Sequence, residues 1–598
     1  MKKKFVLAAV VIICAAAALF AFCGGNSGYR EAKLFDYAPN NEITGSYDKA
    51  LSAKCENGVF VGKKTGDVIE FRGIPYAQQP VGSLRWKAPQ EPLPSDKVFE
   101  ACHDGKSCLQ VPDPYERASL YEQGEDCLSL NVFVNSKDKN SKKPVMVFIH
   151  GGGYEQGGHS DPLYDGFNFV RENPDVILVV TTYRFGLMGI VDFSQVPGGE
   201  NYMDACNLPL LDQIATLKWV KKNIAAFGGD PDCVTIFGES AGGGSVSNIV
   251  VSPLSKGLFK RAIPMSGACT YGQKRADSQV LTKTLMKRFG AKNMDDLIKI
   301  SYEDLSKFWV DEGGMQTYNF PIIDERMLPS DTLGAWNGAA IKDIEIMQGI
   351  TKDEWRYFIE VFADDIDFFN LVNDVTYKML AENASPEYLE TSAKLMDLLT
   401  KTYGKEWALT EFGNGQFFRA GQMYQAIAHA KQGGKEFFYR VDKEIEGPKQ
   451  ETLKACHAVE LPFVFGNFDN EQAKNTKENR AYAKQLQRMW INFAKTGNPS
   501  LSAQDNPDGK AVEWQPFTDD TRKVMILAQG NLHMEDNPEA ERTELEQKLL
   551  DTNPHYRHIR GLAPVLARIA QIPGKADAFK KIMEKNVENA QKAKAASK

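Results

Sequence analysis

Ser240 lies in Val234-Thr235-Ile236-Phe237-Gly238-Glu239-Ser240-Ala241-Gly242-Gly243, a β-rich run that enters a G-x-S-x-G pentapeptide and leaves through small residues that open a helix. A tight strand-to-helix turn of this kind points a serine Oγ outward, and its glycines let the turn close while neighbouring backbone approaches. The helix N-terminus beneath it favours developing negative charge. The pentapeptide by itself arises easily by chance. Its meaning comes from a second segment, Val147-Phe148-Ile149-His150-Gly151-Gly152-Gly153-Tyr154, in which a strand runs into consecutive glycines. Their N–H groups are free to face a carbonyl that is becoming an oxyanion. A phosphate-binding loop would need a Lys at fixed spacing, and none follows. Together the two segments point to acyl-transfer chemistry at a serine.

A serine nucleophile needs a base, supplied in this kind of architecture in the chain order Ser, acid, His. Five histidines follow Ser240: His429, His457, His533, His555 and His558. His429 lies in the helical run Tyr424–Lys431 and reads as a surface or packing residue, and His555 and His558 fall in a basic tail. Composition leaves His457 and His533. His457 opens an apolar run, Ala458 to Gly466, from a loop position. Many carboxylates lie between. Glu354 follows the strand-like Ile344–Met347 and a short loop, which places it at a strand's C-terminal edge, where α/β sites form.

The elements that must position these groups are legible as alternation. Val145–Ile149, Val176–Thr181, Val234–Phe237 and Ile344–Met347 are short β-rich runs, whereas Leu210–Phe227 and Glu478–Lys495 carry helical spacing. That pattern predicts a parallel-rich α/β sheet with helices on both faces. The chain has 598 residues, 43% hydrophobic and 25% charged, with a formal charge of −7. These values exclude a wholly disordered, collagenous or multi-span membrane chain and give no electrostatic footprint for nucleic acid.

Lys2, Lys3 and Lys4 precede an apolar or small stretch from Phe5 to Phe22, then Cys23, Gly24, Gly25 and Asn26. Residues 1–22 read as an export signal, with an uncleaved anchor as the alternative. Cys23 resembles the lipid-accepting cysteine of a bacterial lipoprotein, although Phe22 and Phe20 depart from the small residue and Leu usual there. Export as a secreted, periplasmic or envelope-tethered protein is expected. Residues 23–55 read as a linker, 56–555 as the folded body, and 556–598 as a basic tail with 10 Lys+Arg against 3 Asp+Glu. The tail is either a solvated helix or a segment that touches an anionic membrane. Ten cysteines without a CxxC or a His/Cys cluster at zinc spacing argue against a structural metal.

With these motifs in place, the chain resembles the type-B carboxylesterase family, the cholinesterase-like branch of the α/β-hydrolases. Ordered matches spread over most of residues 58–553, among them Phe71–Tyr76, Glu125-Asp126-Cys127-Leu128, His150–Tyr154, Asn223–Pro231, Gly238–Gly242, Lys352-Asp353-Glu354, His457 with Glu460-Leu461-Pro462, and Trp490–Ala494. The resemblance implies the α/β-hydrolase fold and hydrolysis of a small carboxylic ester without a cofactor. It implies Ser240 as nucleophile, His457 as base and then acid, and Glu354 as the residue orienting His457. Gly152, Gly153 and Ala241 would form the oxyanion hole, and Glu239 and Ser266 would stand just behind. It implies a disulfide between Cys108 and Cys127 and buried ion pairs of Arg85 with Glu125 and Arg184 with Asp212. Trp355, Ser129 and Pro209 depart from the family's pattern. Residues 109–126 contain no Trp, where cholinesterases use one to bind a quaternary ammonium, so a general ester is expected rather than a choline ester. The competing class is a non-catalytic adhesion module on the same fold, or, within enzymes, an amidase, thioesterase or lipase.

Overall fold

The computed structural model describes residues 37–553 except 111–121, 137–141, 271, 312–319, 363 and 471, and beyond 553 only 556, 563–569, 571–573, 575 and 581. The readings of residues 1–22 and of Cys23, and His555 and His558, lie outside the described residues.

Among the described residues, thirteen strands form the sheet. One border comprises β1 (Ser52–Cys55), β2 (Gly58–Thr65), β3 (Val68–Pro75), β4 (Val98–Ala101) and β5 (Ser129–Asn135). These strands pair antiparallel except for β2 with β4. The core is built from β6 (Lys143–Ile149), β7 (Ile177–Thr181), β8 (Gly229–Glu239), β9 (Arg261–Met265), β10 (Glu345–Thr351), β11 (Glu436–Val441) and β12 (Lys523–Ala528). It runs parallel in the spatial order β7-β6-β8-β9-β10-β11-β12. Antiparallel β13 (Asn531–Asp536) closes the far edge. Every residue of β5, β7 and β9 is buried, as strands covered on both faces require. The fold is therefore the expected α/β class, and all four β-rich runs noted in the sequence are core strands.

Helices follow the expected spacing with physical adjustments at their ends. The run expected to be helical to Phe227 forms α1 (Leu208–Asn223) and then tightens to a 3₁₀ turn over Ile224–Phe227, stopped by Gly228 at φ 87°. Next come α2 (Ala241–Val251), α3 (Ala420–Lys431) and α4 (Lys477–Thr496). The Thr476 side chain caps α4 by accepting from the Asn479 N–H, and Gly497 at φ 72° ends it. Its apolar face buries Tyr482, Leu486, Met489, Trp490 and Phe493, with the Trp490 ring 5.1 Å from Tyr439 of β11.

Both expected boundaries of the body are corrected. Residues 37–55 are no linker. Asn40 Nδ2 donates to Arg72 O and His103 O at 3.0 and 2.9 Å, its Oδ1 accepts from the Cys102 and His103 N–H groups, and β1 joins the sheet. An amide tip carries donors and an acceptor together, so a polar segment can be built in by hydrogen bonds without an apolar pattern. At the other end, Val565, Leu566 and Ile569 of the helix Ala563–Ile569 are buried, and Tyr556 lies against Phe412. Those apolar residues are committed to the body and do not face solvent or a bilayer.

Candidate active site

The C-terminal ends of β6, β8 and β10 deliver the three predicted segments to one place. β8 ends at Glu239 and α2 begins at Ala241, leaving Ser240 between them at φ 60°, ψ −122°. That conformation is costly for a residue with a side chain and persists only where its surroundings over-determine it. They do: the Ser240 N–H donates to Met265 O at 3.0 Å, and its carbonyl accepts from the Gly244 N–H at 2.8 Å. The glycines are dictated by contact, since a Cβ on Gly242 would stand 2.0 Å from Ile149 O. Ala241 occupies the first position of α2, where the helix has no internal partner for the N–H.

The glycine loop leaves β6 with Gly152 at φ 98° and Gly153 at φ 65°. Gly152 O accepts from the Glu155 and Gln156 N–H groups at 2.9 and 3.1 Å, which curls the loop. Among the described residues, the N–H groups of Gly152 and Gly153 donate to no protein acceptor. His150 ahead of them is buried, its Nδ1 bonded to Gly151 O at 2.8 Å and its ring stacked 4.4 Å from Tyr183. Burial drives this imidazole down to about 4.

Glu354 follows β10 by three residues. Its Oε1 accepts from the Thr351 N–H at 2.7 Å, and its Oε2 lies 2.5 Å from His457 Nδ1. An ionised carboxylate only accepts, so Nδ1 carries the proton and Nε2 is the nitrogen left for chemistry. Nε2 sits 3.1 Å from Oε1 of Glu239, the neighbour of Ser240. No hydrogen bond joins Ser240 Oγ to His457 among the described residues. Burial alone would depress His457, but the carboxylates of Glu239, Glu354 and Glu460 override it and lift the imidazole to about 9. Phe418 flanks the ring at 4.6 Å and Phe358 at 5.9 Å.

Two members of this environment had no assigned place in the sequence reading. Glu460, three residues beyond His457, is fully buried, and burial together with Glu239 and Glu354 pushes its carboxyl well above the ordinary range. Its signal was the spacing within the His457–Pro462 segment. Phe418 had none, because it arrives from a π-helical turn over Gly415–Arg419. Ser266 is buried at φ 49° in the loop after β9. Trp355, a departure from the family's pattern, stacks on Phe417 at 4.1 Å and donates to Asn373 Oδ1 at 2.8 Å.

The remaining expectations divide. Arg184 grips Asp212 at 2.7 and 2.8 Å, and Arg85 Nη2 meets Glu125 Oε2 at 2.8 Å. Cys108 and Cys127, the pair for which the resemblance implies a disulfide, are both buried and lie beside each other as thiols. The Cys108 contact, and then burial, push the Cys127 thiol well above its ordinary value. His429 is a packing residue, paired with Glu436 at 2.8 Å in full burial. His533 lies on the edge strand β13, opposite Ile526.

A family model described as the carboxylesterase family matches residues 50–546. The chain is 36% identical over 524 residues to the para-nitrobenzyl esterase of Bacillus subtilis (strain 168), covering 84% of this chain and 97% of that one. It is 30% identical to the cholinesterase of Mus musculus over 77% of this chain and 80% of that one. The solved structure of a Geobacillus stearothermophilus carboxylesterase superposes with a TM-score of 0.72 at 31% identity, covering 83% of this chain and all of that one.

Proposed function

The chain belongs to the carboxylesterase family and is a carboxylic-ester hydrolase, and on that premise we propose that it works through an acyl-enzyme on Ser240, with His457 as base and acid and Glu354 orienting the imidazole. The observation that carries the reading is the buried 2.5 Å contact of Glu354 with His457 Nδ1, which leaves Nε2 turned toward the strand end that bears Ser240. In the proposed first step Ser240 Oγ bonds to the ester carbonyl carbon while its proton passes to Nε2. The negative charge on the former carbonyl oxygen is met by the N–H groups of Gly152, Gly153 and Ala241. The C–O bond to the alcohol breaks as His457 returns the proton to the leaving oxygen. Water then repeats the sequence, releasing the carboxylate and restoring Ser240.

Nε2 must be neutral to accept that proton, so activity is expected to rise with pH through an inflection well above the ordinary histidine value. The substrates are uncharged carboxylic esters; the absence of Trp from residues 109–126 removes the cation–π partner a choline ester would use. Replacing Ser240 with Ala is expected to lower turnover of short p-nitrophenyl esters by at least about 10⁴-fold with the thermal transition retained. Undiminished turnover would overturn the assignment. Export is part of the same proposal, carried by Lys2–Lys4 and the apolar run to Phe22. Mass measurement of the mature N-terminus tests it: a diacylglyceryl Cys23 marks an envelope tether, and an intact Met1 refutes processing.

A further inference from the structure

The backbone that holds Ser240 is itself held from behind. The loop after β9 runs so close to the turn that a Cβ on Gly267 would stand 2.2 Å from Ser240 O and 2.3 Å from the Gly244 nitrogen. Two N–H groups of that loop, those of Gly267 and Cys269, end on side-chain oxygens of α3: Gln422 Oε1 and Gln425 Oε1, each at 2.7 Å. Both glutamines are fully buried. A main-chain N–H can only donate, so each side chain must present its oxygen to the loop, and its NH₂ is committed elsewhere. Gln422 Nε2 donates to Pro264 O at 3.1 Å and reaches Gln348 Oε1 at 3.4 Å. Gln425 Nε2 donates to Ser247 Oγ at 3.1 Å and to Gln348 Oε1 at 3.3 Å, while Ser247 Oγ donates to Gly267 O at 2.8 Å. Gln348 then donates to Glu436 Oε1 at 3.0 Å, and the other oxygen of Glu436 meets His429. Gln348 belongs to β10, the strand that delivers Glu354.

Around the two glutamines the buried network is rigid, because turning either amide leaves the Gly267 or Cys269 N–H unpaired away from water. Resting on the assignment of Ser240 as nucleophile, we infer that Gln422 and Gln425 are positioning residues. They clamp the loop 265–269 against the turn, so that a backbone at φ 60° holds Oγ in one direction, and Gln348 ties this brace to the strand carrying the acid. Neither side chain touches the reacting atoms; each acts through the Gly267 and Cys269 amides.

The test uses the full chain and a fluorophosphonate probe. Labelling is located by peptide mass, and turnover is expressed per labelled site. Gln422→Leu and Gln425→Leu are expected to lower kcat and the labelling rate by about 10- to 100-fold, since small displacements of a reacting atom cost rate on that scale. KM should stay within about threefold. Gln485→Leu is the control, a buried glutamine of α4 bonded to Asn506 at 2.8 Å and remote from the turn; it should lower the melting temperature without lowering kcat. Undiminished kcat in both folded α3 variants would overturn the inference, as would an equal loss in Gln485→Leu. Where a Leu variant does not fold, Gln422→Asn, which withdraws the acceptor by one methylene, is read in the same way. A wild-type chain labelled at a residue other than Ser240 would instead overturn the nucleophile assignment.

Discussion

His150, beside the glycine loop, and His457, beside the serine turn, are both shut away from water, yet their imidazoles are driven in opposite directions. His150 has a carbonyl and aromatic rings around it, and burial takes it to about 4. His457 has Glu239, Glu354 and Glu460 around it, and they take it to about 9 against the same penalty. Burial alone makes a histidine neutral and inert; burial among carboxylates makes it hold a proton strongly. The second environment suits a group that must become an imidazolium in the course of a reaction, and the first suits one that only packs.

The largest break in this contrast is Glu354→Gln, which takes away the oriented partner of Nδ1 and brings His457 closer to the situation of His150. A loss of about 10⁴-fold in kcat is expected, read with p-nitrophenyl acetate; retention of turnover within tenfold would remove Glu354 from the mechanism. Gly152→Ala comes next. Its φ of 98° and a Cβ only 2.3 Å from Gln156 O leave no room for a side chain. The loop must shift, and loss of a donor proposed for the oxyanion is expected to lower kcat by about 100- to 1,000-fold.

The two imidazoles also predict opposite pH limits. The folded value of His457 lies above the unfolded 6.5, so its contribution to stability is complete below that value and is lost as pH rises through about 9. The folded value of His150 lies below 6.5, so its environment is stable above that value and costs stability as pH falls toward about 4. Glu239→Gln should move the inflection of kcat/KM to lower pH by roughly one pH unit; an unmoved profile would remove Glu239 as a source of the lift. His150→Gln should spare the fold about 3 kcal/mol of the loss between pH 7 and pH 4. Urea unfolding at the two pH values, compared with wild type, measures it.

The turn around Ser240 was legible because Gly238 and Gly242, which let it close, lie within five residues of one another, although its strained backbone is then held by contacts from β6 and the loop after β9. The glycine loop was legible for the same reason. The Glu354–His457 pair was reached less directly, by chain order and resemblance, since a carboxylate 114 residues and an imidazole 217 residues beyond the serine have no local signature. The ends of the body were misread. Asn40 and Tyr37 attach their segment by hydrogen bonds that leave no periodic trace, and the tail's Val565, Leu566 and Ile569 are as compatible with a bilayer as with a protein groove until the groove is in place.

Composition, strand and helix periodicity, and the glycine-flanked serine were determined by the sequence itself, because each depends on residues within a few positions of one another. The tertiary structure alone decided how strongly His457 holds its proton, that Glu460 and Phe418 crowd it, and that Gln422 and Gln425 reach back to the loop behind Ser240. Those are properties of distance between chain segments. Electrostatic and hydrogen-bond energies depend on ångströms in space, and only the folded chain sets them.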